Sequence, residues 1–183
     1  VDANPYVAHA QVANIILTHD SVITDFSIDD VHGIDGGRQL FTVHAQSTTK
    51  ASSEVFGLPA SDVMALASAA YLIGVSEAMI EVAAEYARQR EQFGKPIGSF
   101  QAVKHLMSDA LLKVEFAKAP TYRAAWSAST GSSTVLRDIS MAKALASEAA
   151  YRASRSTMQV HGGIGYTWEA DLQLWMKKSW ALM

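Results

Sequence analysis

The sequence predicts a mainly α protein: a partial antiparallel β-domain, then an antiparallel bundle of four long helices. Two observations carry this. The apolar pattern changes from strand-like to helix-like near residue 50. Glycine and proline signals then divide the helical part into four stretches.

Residues 1–50 hold short apolar runs rich in β-branched residues: Val12–Thr18, Ser21–Thr24 and Leu40–His44. Polar or glycine-bearing turns separate them, notably Asp30 to Gly37, so they read as strands. So few strands cannot bury a core alone and must pack on something else. Gln46 to Glu54 and then Gly57-Leu58-Pro59 read as a linker, placed at 51–60. The bundle follows over 61–183.

Ser61 or Asp62 is suited to cap the first helix, because its side-chain oxygen can accept from free backbone N–H groups. Val63, Leu66, Ala67, Ala70, Tyr71, Gly74, Ala78 and Val82 then recur at helical spacing, up to Tyr86 and beyond. At ~1.5 Å per residue such a helix is on the order of 40 Å long. A second helix starts near Ser99, with Val103, Leu106, Met107, Ala110, Leu111, Val114 and Ala117 on one face. Pro120 is expected to kink or restart it, and Gly131-Ser132-Ser133 to end it. A third runs from about Thr134 to Val160, its inner side lined by Ala142, Ala146, Ala149, Ala150 and Ala153. The last begins near Trp168 or Glu169 and is still running at Met183.

About half of the 183 residues are hydrophobic and the net charge is −3. That balance gives no electrostatic reason to expect nucleic acid or an anionic membrane as partner. No apolar run approaches the ~20 residues of a membrane helix. Cysteine is absent, which excludes disulfides, thiolate chemistry and cysteine-held metal centres. A cytoplasmic location is the simplest expectation. No metal site is expected: His105 and Asp109, four apart on a helix, read as a solvated pair. Glu77, Glu81 and Glu85 read as a solvent-facing stripe.

Two stretches carry more chemistry than a connector needs. In Arg88 to Gln101, arginines, glutamines and Phe93 crowd a helix end that turns through Gly94-Lys95-Pro96-Ile97-Gly98. A helix C-terminus with a glycine cap explains Arg88, Arg90 and Gly94. It does not explain Gln92, Phe93 or Gln101, and guanidinium forks beside an aromatic face suit a phosphate-bearing ligand. On residue chemistry alone both readings stay open. The second stretch, Gln159 to Glu169, places three glycines in Gly162-Gly163-Ile164-Gly165. It is either a tight turn with Thr167 capping the next helix or a backbone that a ligand approaches closely. No strand precedes these glycines, so a dinucleotide-binding fingerprint does not apply.

Together these stretches resemble the acyl-CoA dehydrogenase family, whose C-terminal helical domain carries Arg-x-Gln-Phe-Gly-x-Pro-Ile-x-x-Phe-Gln and Gln-x-x-Gly-Gly-x-Gly-Tyr-Thr-x-Glu elements. They stand here at Arg90 to Gln101 and Gln159 to Glu169. The resemblance covers residues 58–183, and more faintly 1–48 as the end of the family's middle β-domain. The Gly98-to-His105 wording and Thr167-Trp168-Glu169 are similar to subunits acting on steroid or other bulky CoA esters. The resemblance implies FAD shared across a subunit interface. Arg90 and Gln92 would meet its diphosphate, Phe93 would pack near the adenine, and Gln101 would add a hydrogen bond. Gln159, Gly162 and Gly163 would line the adenosine side. It implies an oxidoreductase that dehydrogenates an acyl-CoA at the α,β bond, works as a homo- or hetero-oligomer and passes electrons to an electron-transfer acceptor.

The chain departs from the family pattern at the catalytic base. The family's glutamate lies on the first bundle helix or in a loop after the last. The helix positions fall on Met64 or Tyr71, and the loop position falls after Met183. The expectation is therefore a fragment, or a subunit supplying part of a site. A non-catalytic assembly subunit and an acyl-CoA oxidase-like enzyme are the alternatives.

Overall fold

The computed structural model describes residues 6–18, 21–50, 54–55 and 57–183. The chain divides into two compact units, one ending at Met64 and the other running from Ala65 to Met183.

In the first unit β1 (Tyr6–Ala8), β2 (Ile16–Leu17), β3 (Ser21–Val31) and β4 (Leu40–Lys50) form an antiparallel sheet of order β1-β4-β3-β2. Ala10, Ile16, Ile23 and Phe41 form its buried cluster, with Phe26, Ile28 and Val43 packed against it. The β3–β4 register slips around Asp25, where a bulge separates the Ile23–Thr48 and Phe26–Ala45 pairs.

Two strand expectations change. Only Ile16–Leu17 of the Val12–Thr18 run is strand, because Ala10–Val12 forms a 3-10 turn. Thr18 then turns the chain, its backbone N–H donating to the Ser21 carbonyl at 2.9 Å. Conversely Gln46–Lys50, read as linker, is the end of β4, and Ser47 to Lys50 pair with Ser21 to Asp25. Its threonines suit an exposed strand, and the partner strand supplies the ladder that their polarity concealed. Residues 51–53 and 56 of the expected linker lie outside the described residues. Glu54–Val55 (β5) and Leu58–Pro59 (β6) pair as a small hairpin.

Helix α1 (Ala60–Gln89) begins directly after β6. It buries Ala69, Leu72, Val75, Ser76, Met79, Ile80, Ala83 and Ala87. That is not the stripe expected from sequence: Ala67, Ala70, Tyr71, Gly74 and Val82 are exposed. The helix is apolar nearly all round, so spacing alone could not say which stripe faces the bundle. By length and composition α1 is also apolar enough to cross a membrane. This corrects the expectation that no segment reaches that level. Alanines raise the average without forming an unbroken run of large apolar residues, and Leu72, Val75, Met79 and Ile80 face the bundle core.

Helix α2 (Gln101–Thr130) passes through Pro120 without interruption, against expectation. Proline removes the hydrogen bond to the Phe116 carbonyl, and Phe116 lies on the solvent side at 69% exposure. Ala110, Val114 and Ala117 are buried as expected, whereas Leu111 is exposed. Gly131, at φ 63°, ends the helix in a left-handed cap. Helix α3 (Val135–His161) buries its expected alanines Ala142, Ala146, Ala149, Ala150 and Ala153. Small side chains permit close approach, and α2–α3 is the most extensive helix pair. Helix α4 (Leu172–Leu182) begins later than expected, after a 3-10 turn at Gly162–Tyr166. Thr167 does not cap it: its hydroxyl donates to the Ile164 carbonyl at 2.9 Å. All four helices meet in one core, which includes Val75, Met79, Val114, Ala153, Leu172 and Met176.

A buried carboxylate ties the α2 end to the α3 start. Asp138 Oδ2 accepts from Ser127 Oγ at 2.5 Å, Thr134 Oγ1 at 2.8 Å and Arg123 Nε at 3.3 Å. Its Oδ1 accepts from Arg137 Nη2 at 2.9 Å. The hydroxyl of Ser127, with Arg137 and Thr134, holds this carboxyl well below the usual carboxylate range.

Candidate functional site

The Arg88–Gln101 stretch folds as a two-residue hairpin between α1 and α2. Strands β7 (Glu91–Gln92) and β8 (Lys95–Pro96) pair antiparallel. The loop residues Phe93 and Gly94 both have left-handed backbone, φ 54° and 77°. A two-residue loop of this hand matches strand twist and ordinarily takes asparagine and glycine. A phenylalanine there costs roughly 1–2 kcal/mol. Nothing in the described protein rewards it with burial, since Phe93 is 91% exposed. Its ring meets Phe100 edge-on at 6.1 Å, and the Lys95 ammonium lies 4.5 Å from the Phe100 ring centroid.

The base of the hairpin is fixed. The Arg90 N–H donates to the Tyr86 carbonyl, and the Arg90 carbonyl accepts from Ile97 N–H, both at 2.8 Å. Gly98 is required here: a Cβ would stand 2.9 Å from the Ala87 carbonyl oxygen. The two arginines differ in what they touch. Arg88 is bound to Glu85, with Nε at 3.0 Å and Nη2 at 2.5 Å. The Arg90 guanidinium, on exposed backbone, has no acceptor among the described residues. Gln92 Nε2 donates only to the neighbouring Glu91 carbonyl at 2.7 Å, and Gln101 is exposed as the first residue of α2.

The Gln159–Glu169 stretch reaches the same end of the bundle. Gln159 is exposed on the last turn of α3. Gly162 caps that helix at φ 64°, a conformation suited to glycine. Gly165 is confined, because a Cβ would lie 3.0 Å from the Met158 carbonyl oxygen. Gly163 has neither reason: its φ is ordinary and a Cβ there would meet nothing within 4 Å. Ala83, Ala87 and Val160 form one buried cluster that also packs Ile97 and Val103, joining the two stretches. The rings of Tyr86 and His161 stack across this junction, a contact the sequence reading did not assign. Its only signal there was an aromatic residue in each motif region.

The seven candidate residues line none of three well-formed recesses on the described surface. Six of them are exposed, and Gly162 is half-buried. The two positions expected for a base, Met64 and Tyr71, are both more than half exposed on α1. Among the described residues no group of three histidine, cysteine, aspartate or glutamate side chains is arranged to hold a metal ion.

An all-antiparallel sheet unit followed by a helical bundle, with these two motifs at one bundle end, defines a class. The sequence model of the acyl-CoA dehydrogenase C-terminal domain matches residues 60–182, and the chain belongs to that family. Among curated relatives, acyl-CoA dehydrogenase IpdE2 of Mycolicibacterium smegmatis is 36% identical over 96% of this chain and 55% of its own length. Acyl-CoA dehydrogenase FadE34 of Mycobacterium tuberculosis is 34% identical over 87% of this chain and 23% of its own. Butyryl-CoA dehydrogenase from Megasphaera elsdenii is a solved structure with TM-score 0.76 and 25% identity, covering 90% of this chain and 47% of that one. One chain of the ChsE4–ChsE5 complex from Mycobacterium tuberculosis shares the fold at TM-score 0.74 and 24% identity, over 88% and 47%. The chain thus spans about half the length of IpdE2 and of the solved structures it matches.

Proposed function

We propose that this chain is part of a FAD-dependent acyl-CoA dehydrogenase that removes hydrogen from the α,β bond of a CoA thioester. The observation that carries the reading is the pairing of an uncommitted Arg90 guanidinium with Phe93, held exposed in a costly left-handed backbone. Strain of that kind persists where function rewards it. Arg90 and Gln92 would hold the flavin diphosphate, Phe93 would lie against the adenine, and Gln101 would add a hydrogen bond. Gln159, Gly162 and Gly163 would line the adenosine side, where the bare Gly163 backbone would admit close approach. FAD held there would supply an acceptor for the hydride that leaves the substrate β-carbon. The chain's own contribution is to hold and orient that cofactor through a fork of donors, an aromatic face and glycine backbone.

These residues lie on open surface, and a second subunit completes the enclosure. A hetero-oligomer is consistent with the ChsE4–ChsE5 complex among the fold's neighbours. A bulky, steroid-like acyl group is consistent with a steroid acyl-CoA dehydrogenase of the same fold, at TM-score 0.79. A cytoplasmic location fits α1 as a core helix of the bundle, and an electron-transfer acceptor would take up the electrons. Met64 and Tyr71 carry no carboxylate, so the base comes from elsewhere in the assembly. That same observation favours a second reading, a non-catalytic subunit that keeps the fold for assembly alone. Purification separates the two: flavin released on denaturation supports the first, and a colourless protein with none sinks it. Anaerobic bleaching by acyl-CoA, with and without a candidate partner subunit, then shows where the base resides.

A further inference from the structure

His161 sits where three segments of the bundle end meet. It is only 6% exposed, and its ring stacks on Tyr86 from the last turn of α1. Its Nδ1 donates to the Thr157 carbonyl of its own helix at 2.8 Å, since a carbonyl oxygen can only accept. The Gly162–Tyr166 turn folds back against it so closely that a Cβ on Gly165 would stand 3.0 Å from His161 Cβ. The side chain is thus held from α1, from α3 and from the turn. Close-packed groups pass a displacement on to their neighbours instead of absorbing it.

Each of these contacts leads to a residue offered to the cofactor. The Tyr86 carbonyl accepts the Arg90 N–H at 2.8 Å, so the hairpin that carries Arg90, Gln92 and Phe93 hangs from the stacked residue. Gly162 follows His161 directly, and its N–H closes α3 on the Gln159 and Met158 carbonyls. The backbones of α1 and α3 come close at few points, so side chains set the register between them. At this end those side chains are Ala83, Ala87 and Val160, which fill space but give no direction. A ring pair resists sliding and rotation in a way that alanines do not, because its attraction depends on the relative pose of the two planes.

We propose that His161 is the positioning residue of the flavin site. Its stacked ring sets the register of the Arg90 hairpin against the Gly162-Gly163 backbone, so that both reach one cofactor. It acts through Tyr86 and the turn, without itself binding the cofactor. The inference rests on the flavin reading for its ligand, and on packing alone for its mechanism.

Amide hydrogen exchange and flavin titration test it on the full chain. His161→Ala deletes the ring, whereas His161→Phe keeps a ring for Tyr86 and removes the donor to Thr157. In His161→Ala the amides of Arg90, Ile97 and Gly162 are expected to exchange roughly tenfold faster, while those of Val114 and Ala146 in the α2–α3 core stay within about twofold of the parent. His161→Phe should stay near the parent at every one of these amides. In the titration His161→Ala should weaken flavin binding roughly tenfold in the parent background and far less in Arg90→Ala, where no fork is left to place. In Arg88→Ala, which leaves the fork in position, the full loss should persist. A merely structural ring would cost the same in all three backgrounds. Four results would overturn the proposal: exchange that rises equally through the helices, no rise at Arg90 and Ile97, no restored protection in His161→Phe, or losses that add with Arg90→Ala. A parent chain that binds no flavin sinks the flavin reading instead, and the exchange pattern still decides whether His161 fixes the two segments.

Discussion

Tyr86 and His161 stack with ring centroids 4.5 Å apart and planes 16° from parallel, joining the last turn of α1 to that of α3. This contact couples the segments that carry Arg90 and Gln159. An aromatic pair contributes about 0.5–1.5 kcal/mol beyond area burial. Tyr86→Ala is therefore expected to lower the melting temperature by a few degrees and to weaken flavin retention. Tyr86→Phe keeps the ring and should match the parent in thermal melts and bound flavin.

Arg90 and Arg88 give a paired test of cofactor binding. A charge-assisted hydrogen bond is worth about 1.5–3 kcal/mol, or roughly ten- to a hundredfold in affinity. Arg90→Ala should lose flavin by that factor in a titration. Arg88→Ala breaks an exposed pair with Glu85, worth about 0–1 kcal/mol, and should leave affinity nearly unchanged. Equal effects from both would remove Arg90 from the assigned role.

The hairpin predicts a trade between stability and binding. Phe93→Gly relieves the left-handed backbone and should raise the melting temperature while lowering flavin affinity. A variant that is both less stable and fully flavin-loaded would contradict this.

Two glycines separate packing from ligand approach. Gly98→Ala drives a Cβ to 2.9 Å from the Ala87 carbonyl oxygen and should destabilise by about 1–3 kcal/mol in denaturant unfolding. Gly163→Ala meets nothing within 4 Å. Its unfolding should be unchanged, and its cost should appear only in flavin affinity.

Asp138 sets an acid limit. Its carboxyl titrates lower in the folded chain than in the unfolded one, because Ser127, Arg137 and Thr134 bind the charged form. Folding therefore gains from this group above the ordinary aspartate value of about 4, and that gain fades as pH falls below it. In Asp138→Asn the melting temperature should drop several degrees at neutral pH, with the gap to the parent narrowing under acid. A gap that stays constant with pH would show that shape, and not charge, is what the site needs.

The helical architecture was legible because four stretches repeat apolar residues at helical spacing between glycine-bearing breaks, and α3's alanine side was read correctly. The two motifs were legible because their residue types exceed what a turn requires. The buried face of α1 was not, since Val75 and Val82 are the same residue type and only the neighbouring helices exclude water from the first of them. The unbroken path of α2 through Pro120 was hidden for a related reason: the cost of the lost hydrogen bond depends on whether solvent reaches the freed carbonyl.

The sequence by itself determined the order of elements, the family and the residues offered to a cofactor. Those follow from local spacing and side-chain chemistry, which need no partner to be read. The tertiary structure alone decided that Arg88 is bound to Glu85 while Arg90 is not, that Phe93 stands exposed in left-handed backbone, and that the His161 ring lies on Tyr86. Availability is a property of what surrounds a group in space, and distant residues set it.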